Sequence, residues 1–178
     1  MNKVLFLDRD GVINVDHGYL YKAQDVEFVD GIFELCQRFQ QAGYQLVVVT
    51  NQSGIGRGYY DEQDFHILSQ WMTEQFAARD ITISKFYFCP HHCTKAKGDY
   101  LQDCDCRKPR PGMLLQAAKE LHIDLAKSVI IGDKLSDIEA GHHAGLKRCI
   151  LLDSQYSHQQ ATPTLDFENA QGLLEILP

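Results

Sequence analysis

Short apolar runs recur along this chain and predict buried strands. They cover Val4–Leu7, Gln45–Val49, Ile81–Phe88, Ser128–Ile131 and Arg148–Leu152. Lys85 interrupts the third run with an alternating pattern, which indicates a strand that is less buried than the others. Turn-forming or polar residues follow each run, so the pattern predicts separate strands and not one long hydrophobic segment.

Between the apolar runs, hydrophobic residues recur at helical spacing. The predicted helices are Gly31–Ala42, Met113–Leu121, Ser136–His143 and Glu168–Leu177, together with a helix that Asp61 caps and that extends to about Ala78. A polar connection over Ser154–Thr164 precedes the last of them. Strands that alternate with helices indicate an α/β fold, with a Rossmann-like parallel sheet and helices on both faces.

Length and composition narrow the class of protein. The chain has 178 residues, of which 44% are hydrophobic and 23% charged, so we expect one globular domain over residues 1–178. A formal net charge of −7 argues against a nucleic-acid or anionic-membrane partner. No apolar run reaches the roughly 20 residues that span a bilayer, and no signal-peptide pattern is present, so we expect a cytoplasmic protein.

Two carboxylates stand directly after the first predicted strand, where parallel sheets place their functional sites. Asp8 and Asp10 lie two positions apart on an extended segment, so their side chains project to the same side. One carboxylate can attack phosphorus, and the other can protonate the leaving oxygen and then activate water. Hard oxygen ligands of this kind suit Mg²⁺. Taken alone, the same pattern also fits a turn with solvated acids.

Two further segments carry groups that can hold a phosphate. Thr50–Gly58 follows the second predicted strand and combines a hydroxyl, an amide and small residues, which fits a phosphate cradle or a flexible turn. Lys108 can neutralise phosphate charge, and Arg107 can bind an anion through two parallel hydrogen bonds. Both precede a predicted helix, which strengthens the prediction of an anion site.

Acidic residues also follow the fourth predicted strand. Asp133 can complete a metal site begun by Asp8 and Asp10, while Asp137 either orients neighbouring groups or caps the next helix. The segments Asp8–Gly11, Val49–Gln52, Lys108–Pro109 and Ile131–Asp137 resemble, in the same order, the four motifs of haloacid dehalogenase-like phosphatases. This resemblance implies a nucleophile at Asp8, a general acid and base at Asp10, phosphoryl contacts from Thr50 and Lys108, and Mg²⁺ ligands at Asp8, Asp10 and Asp133.

The segment 89–112 breaks the alternation of strands and helices and contains most of the cysteines. Cys89, His91, His92, Cys93, Cys104 and Cys106 offer more candidate ligands than a tetrahedral Zn²⁺ accepts. A dense cluster of this kind in a cytosolic chain favours metal binding over disulfides. The other cysteines, Cys36 and Cys149, fit buried small hydrophobic residues.

The segments around this zinc loop resemble a subgroup of the same family, the small capless phosphatases that act on heptose bisphosphates. The matching segments are Asp8–Asn14, Gly18–Tyr19, Asn51–Gly58, Cys89–His92 and Cys104–Pro109. The resemblance implies that Zn²⁺ is held by Cys89, His91, Cys104 and Cys106, with His92 and Cys93 as possible substitutes. It also implies substrate contacts from Asp16, Gly18, Tyr19, Asn51, Gln52, Ser53, Arg57, Arg107 and Lys134.

The expected reaction is the Mg²⁺-dependent hydrolysis of the 7-phosphate of D-glycero-D-manno-heptose 1,7-bisphosphate through an aspartyl-phosphate. This step belongs to the synthesis of nucleotide-activated heptoses for lipopolysaccharide or S-layer sugars, and the subgroup's members are expected to be monomers. Histidinol-phosphate phosphatases share the motifs, but the twelve residues between His91 and Cys104 favour the heptose enzymes. An inactive relative that binds partners through its zinc loop is a further alternative, against which intact Asp8, Asp10, Lys108 and Asp133 argue.

Overall fold

The sheet of this protein is built from parallel strands. A computed structural model describes residues 1–157 and 164–178, and within these ranges the six strands have the order β3-β2-β1-β4-β5-β6. The strands are β1 (Lys3–Leu7), β2 (Tyr44–Asn51), β3 (Ile83–Cys89), β4 (Val129–Gly132), β5 (Arg148–Leu152) and β6 (Glu168–Ala170). The five predicted strands are therefore confirmed, with boundaries that differ by at most two residues.

Helices connect these strands. The α-helices are α1 (Ile32–Gln41), α2 (Ser53–Arg57), α3 (Glu62–Ala77), α4 (Gly112–Leu121) and α5 (Leu135–Ala144). Short 3-10 segments lie at Ala23–Asp25, Gly98–Tyr100, Leu125–Lys127 and Leu173–Glu175. Among residues 1–157 and 164–178, no helix combines the length and the apolar character that a membrane crossing requires.

Helices cover both faces of the sheet, as predicted. Leu5 and Leu7 of β1 pack with buried residues of α1 and α3 on one face, whereas Val4 and Phe6 pack with α4 and α5 on the other. Because successive side chains of a strand point to opposite faces, β1 contributes to both cores and is apolar at every position from Val4 to Leu7. The α/β fold class is confirmed.

The start of α3 shows how local sequence fixes the chain beside the site. The Asp61 carboxylate accepts a hydrogen bond of 2.8 Å from the backbone of Asp64, whose carboxylate accepts one of 3.0 Å from the backbone of Asp61. This reciprocal capping box satisfies backbone donors that the first helical turn leaves free. It fixes the residue at which α3 begins, and Tyr60 directly precedes this cap.

The direction of the strand order reverses next to β1. The chain proceeds outward from β1 to β2 and β3, then returns to the other side of β1 for β4, β5 and β6. In open parallel sheets, ligands bind beyond the carboxyl ends of the strands at such a switch point. Asp8 follows β1 and Asp133 follows β4, so the topology brings these two carboxylates together.

The predicted helix over Glu168–Leu177 is wrong. Glu168–Ala170 forms β6, which pairs with β5 from Ile150 to Leu152, and only a 3-10 turn at Leu173–Glu175 follows. Leu173 and Ile176 are both buried, and their spacing of three residues imitates a helical face. The backbone hydrogen bonds available at the edge of β5 outweigh this weak local preference. The predicted connection Ser154–Thr164 lies partly outside the described residues.

Helix α2 also departs from the sequence-based expectation of a cradle or flexible turn. Its glycines permit close packing: a Cβ at Gly54 would lie 2.3 Å from the Tyr60 ring, and one at Gly56 would lie 2.5 Å from the Pro90 carbonyl oxygen. Tertiary contacts therefore decide the conformation of a segment whose composition favours a loop.

Candidate active site

A cavity of about 550 Å³ opens at the carboxyl ends of the central strands. Most of the predicted site residues line it: Asp8, Asp10, Asp16, Gly18, Tyr19, Asn51, Gln52, Ser53, Arg57, Arg107, Lys108 and Lys134. Thr50 and Asp133 are buried beside these residues. Residues outside the predicted catalytic, substrate-binding and metal-binding set also line it, namely Gly54, Tyr60, Pro109, Ser136, Asp137 and Tyr156.

One buried lysine joins three elements of the site. The Nζ atom of Lys108 donates to the Val49 carbonyl at 2.7 Å and lies 3.0 Å from Asp8 Oδ1 and 2.5 Å from Asp137 Oδ1. Asp137 Oδ2 also accepts a 3.1 Å bond from the Lys134 backbone. Of the two roles considered for Asp137, the structure therefore shows both, because it contacts the site lysine and the start of α5.

The carboxylate of Asp133 has the features of a cation ligand. Both of its oxygens are buried and lack hydrogen-bond partners within the described residues. Oxygen atoms of Asp8, Asp133 and Asp137 lie within 4.8 Å of one another. Gly11 makes room for this group, since a Cβ there would lie 2.2 Å from Asp133 Oδ2. Buried carboxylates without donors require a counter-charge, and an all-oxygen set suits Mg²⁺.

The electrostatics of the site also favour a bound cation. Burial raises the pKa of Asp8 to about 7, an effect that Lys108 opposes and that Asp137 and Asp10 reinforce. Burial raises the pKa of Asp133 to about 8, and the Asp8 and Asp137 charges add to it. For Lys108, burial opposes the charged form, but the neighbouring carboxylates raise its pKa above the ordinary value. The acidic cluster thus carries more negative charge than Lys108 balances.

The carboxylate of Asp10 turns to a different set of partners. Its Oδ1 accepts bonds of 2.9 Å from Arg9 Nη2 and 3.1 Å from Asn14 Nδ2. Its Oδ2 accepts bonds of 3.0 Å from Arg9 Nη2 and from Gln52 Nε2. This arrangement fixes the orientation of the carboxylate at the edge of the cavity. The metal-ligand role of Asp10 remains a prediction.

Cationic side chains line the remainder of the cavity. Lys134 Nζ lies 3.7 Å from Asp16 Oδ2 and 4.5 Å from the centre of the Tyr156 ring. The Arg57 guanidinium lies 5.5 Å from the centre of the Tyr19 ring. With Arg107, these groups give an acidic protein a locally positive cavity wall that suits an anionic ligand.

The zinc loop, residues 89–112, brings together the four predicted zinc ligands. The Sγ atom of Cys106 lies 3.0 Å from that of Cys89 and 3.4 Å from that of Cys104, while His91 Nδ1 lies 3.3 Å from Cys106 Sγ. All four donor atoms lie within 4.8 Å of one another. The hydrogen bond between Cys89 and Cys106 is the largest effect on the pKa of Cys106, which is lowered to about 5. Three thiol groups and an imidazole at these separations fit a tetrahedral Zn²⁺ site.

The two possible substitutes lie outside this cluster. His92 Nδ1 accepts backbone hydrogen bonds of 3.2 Å from Thr94 and 3.1 Å from Lys95. Cys93 is exposed. The structure therefore brings together the four residues that the resemblance implied as ligands, and their binding of zinc stays a prediction.

The zinc loop packs against the elements that border the cavity. The Lys97 backbone donates to Gly56 of α2 at 2.8 Å, and the Tyr100 hydroxyl donates to Glu62 of α3 at 2.9 Å. Arg107 directly follows Cys106 and donates from Nη1 to the His91 carbonyl at 3.4 Å. A metal at the cluster would therefore restrain the backbone that presents Arg107 and Lys108.

Sequence reasoning missed several residues of the site. Arg9 is fully buried and donates hydrogen bonds to the Asp10 carboxylate. Its position between Asp8 and Asp10 in the sequence was the one signal of this contact. Tyr60 and Tyr156 gave no signal, because a tyrosine before a helix cap or in a polar connection has no distinctive pattern. Their roles arise only from tertiary contacts.

Comparison with known proteins agrees with this site. A HAD-hydrolase-like family model matches residues 105–171. The D-glycero-beta-D-manno-heptose-1,7-bisphosphate 7-phosphatase of Pasteurella multocida is 51% identical over 85% of this chain and 82% of its own. The D-glycero-alpha-D-manno-heptose-1,7-bisphosphate 7-phosphatase of Campylobacter jejuni is 51% identical over 86% and 84%.

A solved structure of the same kind is also similar. The D,D-heptose 1,7-bisphosphate phosphatase from B. bronchiseptica, complexed with magnesium and phosphate, superposes with a TM-score of 0.82 at 30% identity, over 96% of this chain and 93% of its own. The parallel sheet, the acidic site at its switch point and these similarities define a haloacid dehalogenase-like hydrolase. Within that class, the chain belongs to the family of D-glycero-D-manno-heptose-1,7-bisphosphate 7-phosphatases.

Proposed function

We propose that this protein hydrolyses the 7-phosphate of D-glycero-D-manno-heptose 1,7-bisphosphate, giving heptose 1-phosphate and inorganic phosphate. The observation that carries the phosphatase chemistry is the buried Asp133 carboxylate, which has no hydrogen-bond partner among residues 1–157 and 164–178 and lies beside Asp8 at a cavity that Lys108 also lines. The names of the similar proteins support the substrate. The single domain over residues 1–178, the cytoplasmic location and the monomeric state belong to the same proposal.

In the first half of the reaction, a carboxylate oxygen of Asp8 attacks phosphorus and the bond from phosphorus to the C7 oxygen breaks. Asp10, protonated, transfers its proton to that departing oxygen, so the sugar leaves as a neutral alcohol. Asp8 then carries the phosphoryl group as an acyl phosphate. The hydrogen bonds from Arg9, Asn14 and Gln52 hold Asp10 in one orientation for this transfer.

In the second half, Asp10 accepts a proton from a water molecule that attacks the phosphorus of the acyl phosphate. The bond between phosphorus and Asp8 breaks, inorganic phosphate leaves, and Asp10 is again protonated for the next cycle. Lys108 and Thr50 hold the phosphoryl oxygens during both steps. Positioning and charge neutralisation supply most of the acceleration in phosphoryl transfer.

The metals have separate roles. Asp8, Asp10 and Asp133 are the proposed Mg²⁺ ligands, and Mg²⁺ supplies positive charge that lets the phosphate approach the carboxylates. Asp137 lies close enough to Asp8 and Asp133 to orient these two carboxylates. Zn²⁺, held by Cys89, His91, Cys104 and Cys106, orders the loop and takes no part in proton transfer.

The remaining residues of the cavity wall are proposed to bind the sugar and its second phosphate. Arg57, Arg107 and Lys134 supply the cationic groups, and Tyr19 and Asp16 can contact the hydroxyl-bearing ring. Gly18, Asn51, Gln52 and Ser53 complete the predicted substrate contacts. Relatives named for the beta and the alpha anomer are equally identical to this chain at 51%, so kinetics with both anomers must assign the preference.

Kinetics on defined substrates test the proposal. We expect Mg²⁺-dependent phosphate release from a heptose 1,7-bisphosphate anomer, with kcat/KM at least about tenfold above that for histidinol phosphate or fructose 1,6-bisphosphate. Phosphorus NMR should show that the 1-phosphate remains. Asp8→Asn should abolish turnover, whereas the exposed Asp30→Asn should not change it. If no phosphate were released in the presence of Mg²⁺, the proposed phosphatase activity would be wrong. A preference for histidinol phosphate would show that the proposed substrate is wrong.

A further inference from the structure

A hydrogen-bond chain runs from a buried tyrosine to the proposed general acid. The Tyr60 hydroxyl donates to Gln52 Oε1. At the other end of the same amide, Gln52 Nε2 donates to Asp10 Oδ2 at 3.0 Å and to Thr50 Oγ1 at 2.8 Å. Gln52 is only 2% exposed, so these partners are the ones that satisfy its amide. Tyr60 therefore contacts the catalytic carboxylate through one intervening side chain.

The chemistry of an amide makes its orientation matter. An amide group has a donor end and an acceptor end of nearly equal size, and its neighbours decide which way it points. A phenol that donates to Oε1 requires the amide nitrogen to face Asp10 and Thr50. Burial, the largest effect, raises the pKa of Tyr60 above its ordinary value, with Arg9 opposing and Asp10 adding to the shift. Tyr60 therefore keeps the proton that it donates.

We propose that Tyr60 is a positioning residue for the general acid: it fixes the amide of Gln52, which in turn orients Asp10 and leaves the Thr50 hydroxyl proton free to face the phosphate. This inference rests on the proposed phosphatase function and adds to it a residue that does not touch the reacting atoms. Gln52 lines the cavity, and Tyr60 acts through it.

A reversed amide shows what Tyr60 prevents. With Oε1 facing Asp10, Gln52 would accept a hydrogen bond from the protonated Asp10 carboxyl. The proton would then be directed to Gln52 and not to the departing sugar oxygen. Thr50 would have to donate to the same amide oxygen, so its hydroxyl would be lost to the phosphate. Both effects act on the reaction step and leave the fold unchanged.

The surroundings of Tyr60 hold its hydroxyl in place. Its ring stacks on Tyr21 with centroids 5.2 Å apart and an angle of 10° between the planes. Gly54 approaches the same ring so closely that a Cβ there would lie 2.3 Å from Cε1. Tyr60 also belongs to a small buried cluster with Ile55 and Phe65. The ring is thus restrained from several sides, and a phenylalanine can occupy the same space.

The choice of leaving group separates positioning of the acid from a general structural role. The value of kcat/KM reports the steps up to release of the first product, so it is insensitive to hydrolysis of the acyl phosphate. A sugar oxygen requires a proton to leave, whereas p-nitrophenolate does not. For Tyr60→Phe, loss of the Thr50 contact lowers kcat/KM with both esters, and we expect the fall to be about tenfold larger with heptose 1,7-bisphosphate than with p-nitrophenyl phosphate.

Two further variants keep the test decisive. Tyr21→Phe retains the stacked ring and alters a hydroxyl that is not a partner of Gln52, so we expect wild-type ratios between the two substrates. In a double-mutant cycle, Tyr60→Phe should have no further effect on that ratio in a Gln52→Ala background. An equal fall of kcat/KM on both substrates, or an undiminished effect in that background, would overturn the inference alone. A wild-type protein that cleaves neither ester would overturn the proposed function as well.

Discussion

At the scale of single residues, Lys108 combines a structural and a catalytic part. Its ammonium group is buried and contacts Val49, Asp8 and Asp137. Removing one partner from a buried ion pair leaves an uncompensated charge, which costs more than the pair contributes. For Lys108→Ala we expect turnover to fall by about a hundredfold or more. We also expect the free energy of unfolding to fall by about 3 kcal/mol near pH 8.

The loss of stability in Lys108→Ala should depend on pH. Burial already raises the pKa of Asp8 to about 7, and removal of the lysine raises it further. A carboxyl whose pKa is higher in the folded than in the unfolded state destabilises the fold as pH rises through that interval. Denaturant unfolding in magnesium-free buffer should therefore show a smaller deficit near pH 5 than near pH 8. The exposed Lys85, 2.6 Å from Glu120, is the control, and Lys85→Ala should cost at most about 1 kcal/mol.

Sequence reasoning identified site residues that stand directly after strands, because parallel strands end at a common edge. Asp8 and Asp133 are such residues, whereas Lys108 was predicted from a basic segment before α4, and the structure places the three together. Sequence reasoning could not identify the contacts that Arg9 makes with Asp10, or those that Tyr60 makes with it through Gln52, since they depend on how side chains meet after folding. The acidic group that includes Asp137 likewise follows from packing at the start of α5 and not from spacing.

At the scale of elements, the zinc loop links the cluster of Cys89, His91, Cys104 and Cys106 to the cavity of the candidate active site. Cys106 belongs to the cluster, and the next residues in the chain, Arg107 and Lys108, line the cavity. For Cys106→Ser we expect zinc content measured by elemental analysis to fall from about one ion per chain, because structural zinc requires its full ligand set. We expect KM for the heptose bisphosphate to rise about tenfold through loss of ordered charge-assisted contacts from Arg107.

Cys93 supplies a matched control for this prediction. It lies on the same loop but is exposed and outside the cluster. Cys93→Ser should therefore retain both zinc and the wild-type KM. If Cys106→Ser lost zinc while KM stayed the same, the loop would have no part in presenting Arg107. If Cys93→Ser lost zinc, the ligand assignment would be wrong.

The elements themselves were predictable where one interaction dominates. Buried central strands are apolar because helices cover both faces, as in β1 from Val4 to Leu7 and in β4. The region after β5 was misread, since Leu173 and Ile176 have the spacing of a helix but pack beneath an edge strand and a short turn. Helix α2 was missed because its glycines suggested a loop. In both places tertiary contacts outweigh local preference.

At the scale of the whole molecule, net charge and local charge have opposite signs. The chain carries a formal net charge of −7, but Arg57, Arg107, Lys108 and Lys134 line its cavity. The switch point of the sheet places the acidic cluster of Asp8, Asp133 and Asp137 at the same opening. The fold thus brings a buried acidic cluster next to cationic side chains, an arrangement that suits a metal-assisted phosphatase.

This arrangement couples the stability of the whole molecule to magnesium and pH. The pKa of Asp8 is raised to about 7 and that of Asp133 to about 8, so protons occupy the cluster when the metal is absent. Both values lie above those of the unfolded chain, so the metal-free fold loses stability as pH rises from about 4 to about 8. If Mg²⁺ binds the deprotonated cluster, as proposed, it restores that stability and must displace protons at lower pH.

Thermal unfolding with and without Mg²⁺ therefore gives a clear expectation. At pH 8 and roughly 100 times its Kd, Mg²⁺ should stabilise the fold by about 2.7 kcal/mol and raise Tm by roughly 5–10 °C. At pH 6 the same concentration should raise Tm by less, because protons compete for Asp8 and Asp133. Asp133→Asn should lose the response, whereas Asp16→Asn, altered outside the acidic cluster, should keep it. A magnesium shift that is the same at pH 6 and pH 8 would show that these carboxyls are not the groups that bind the cation.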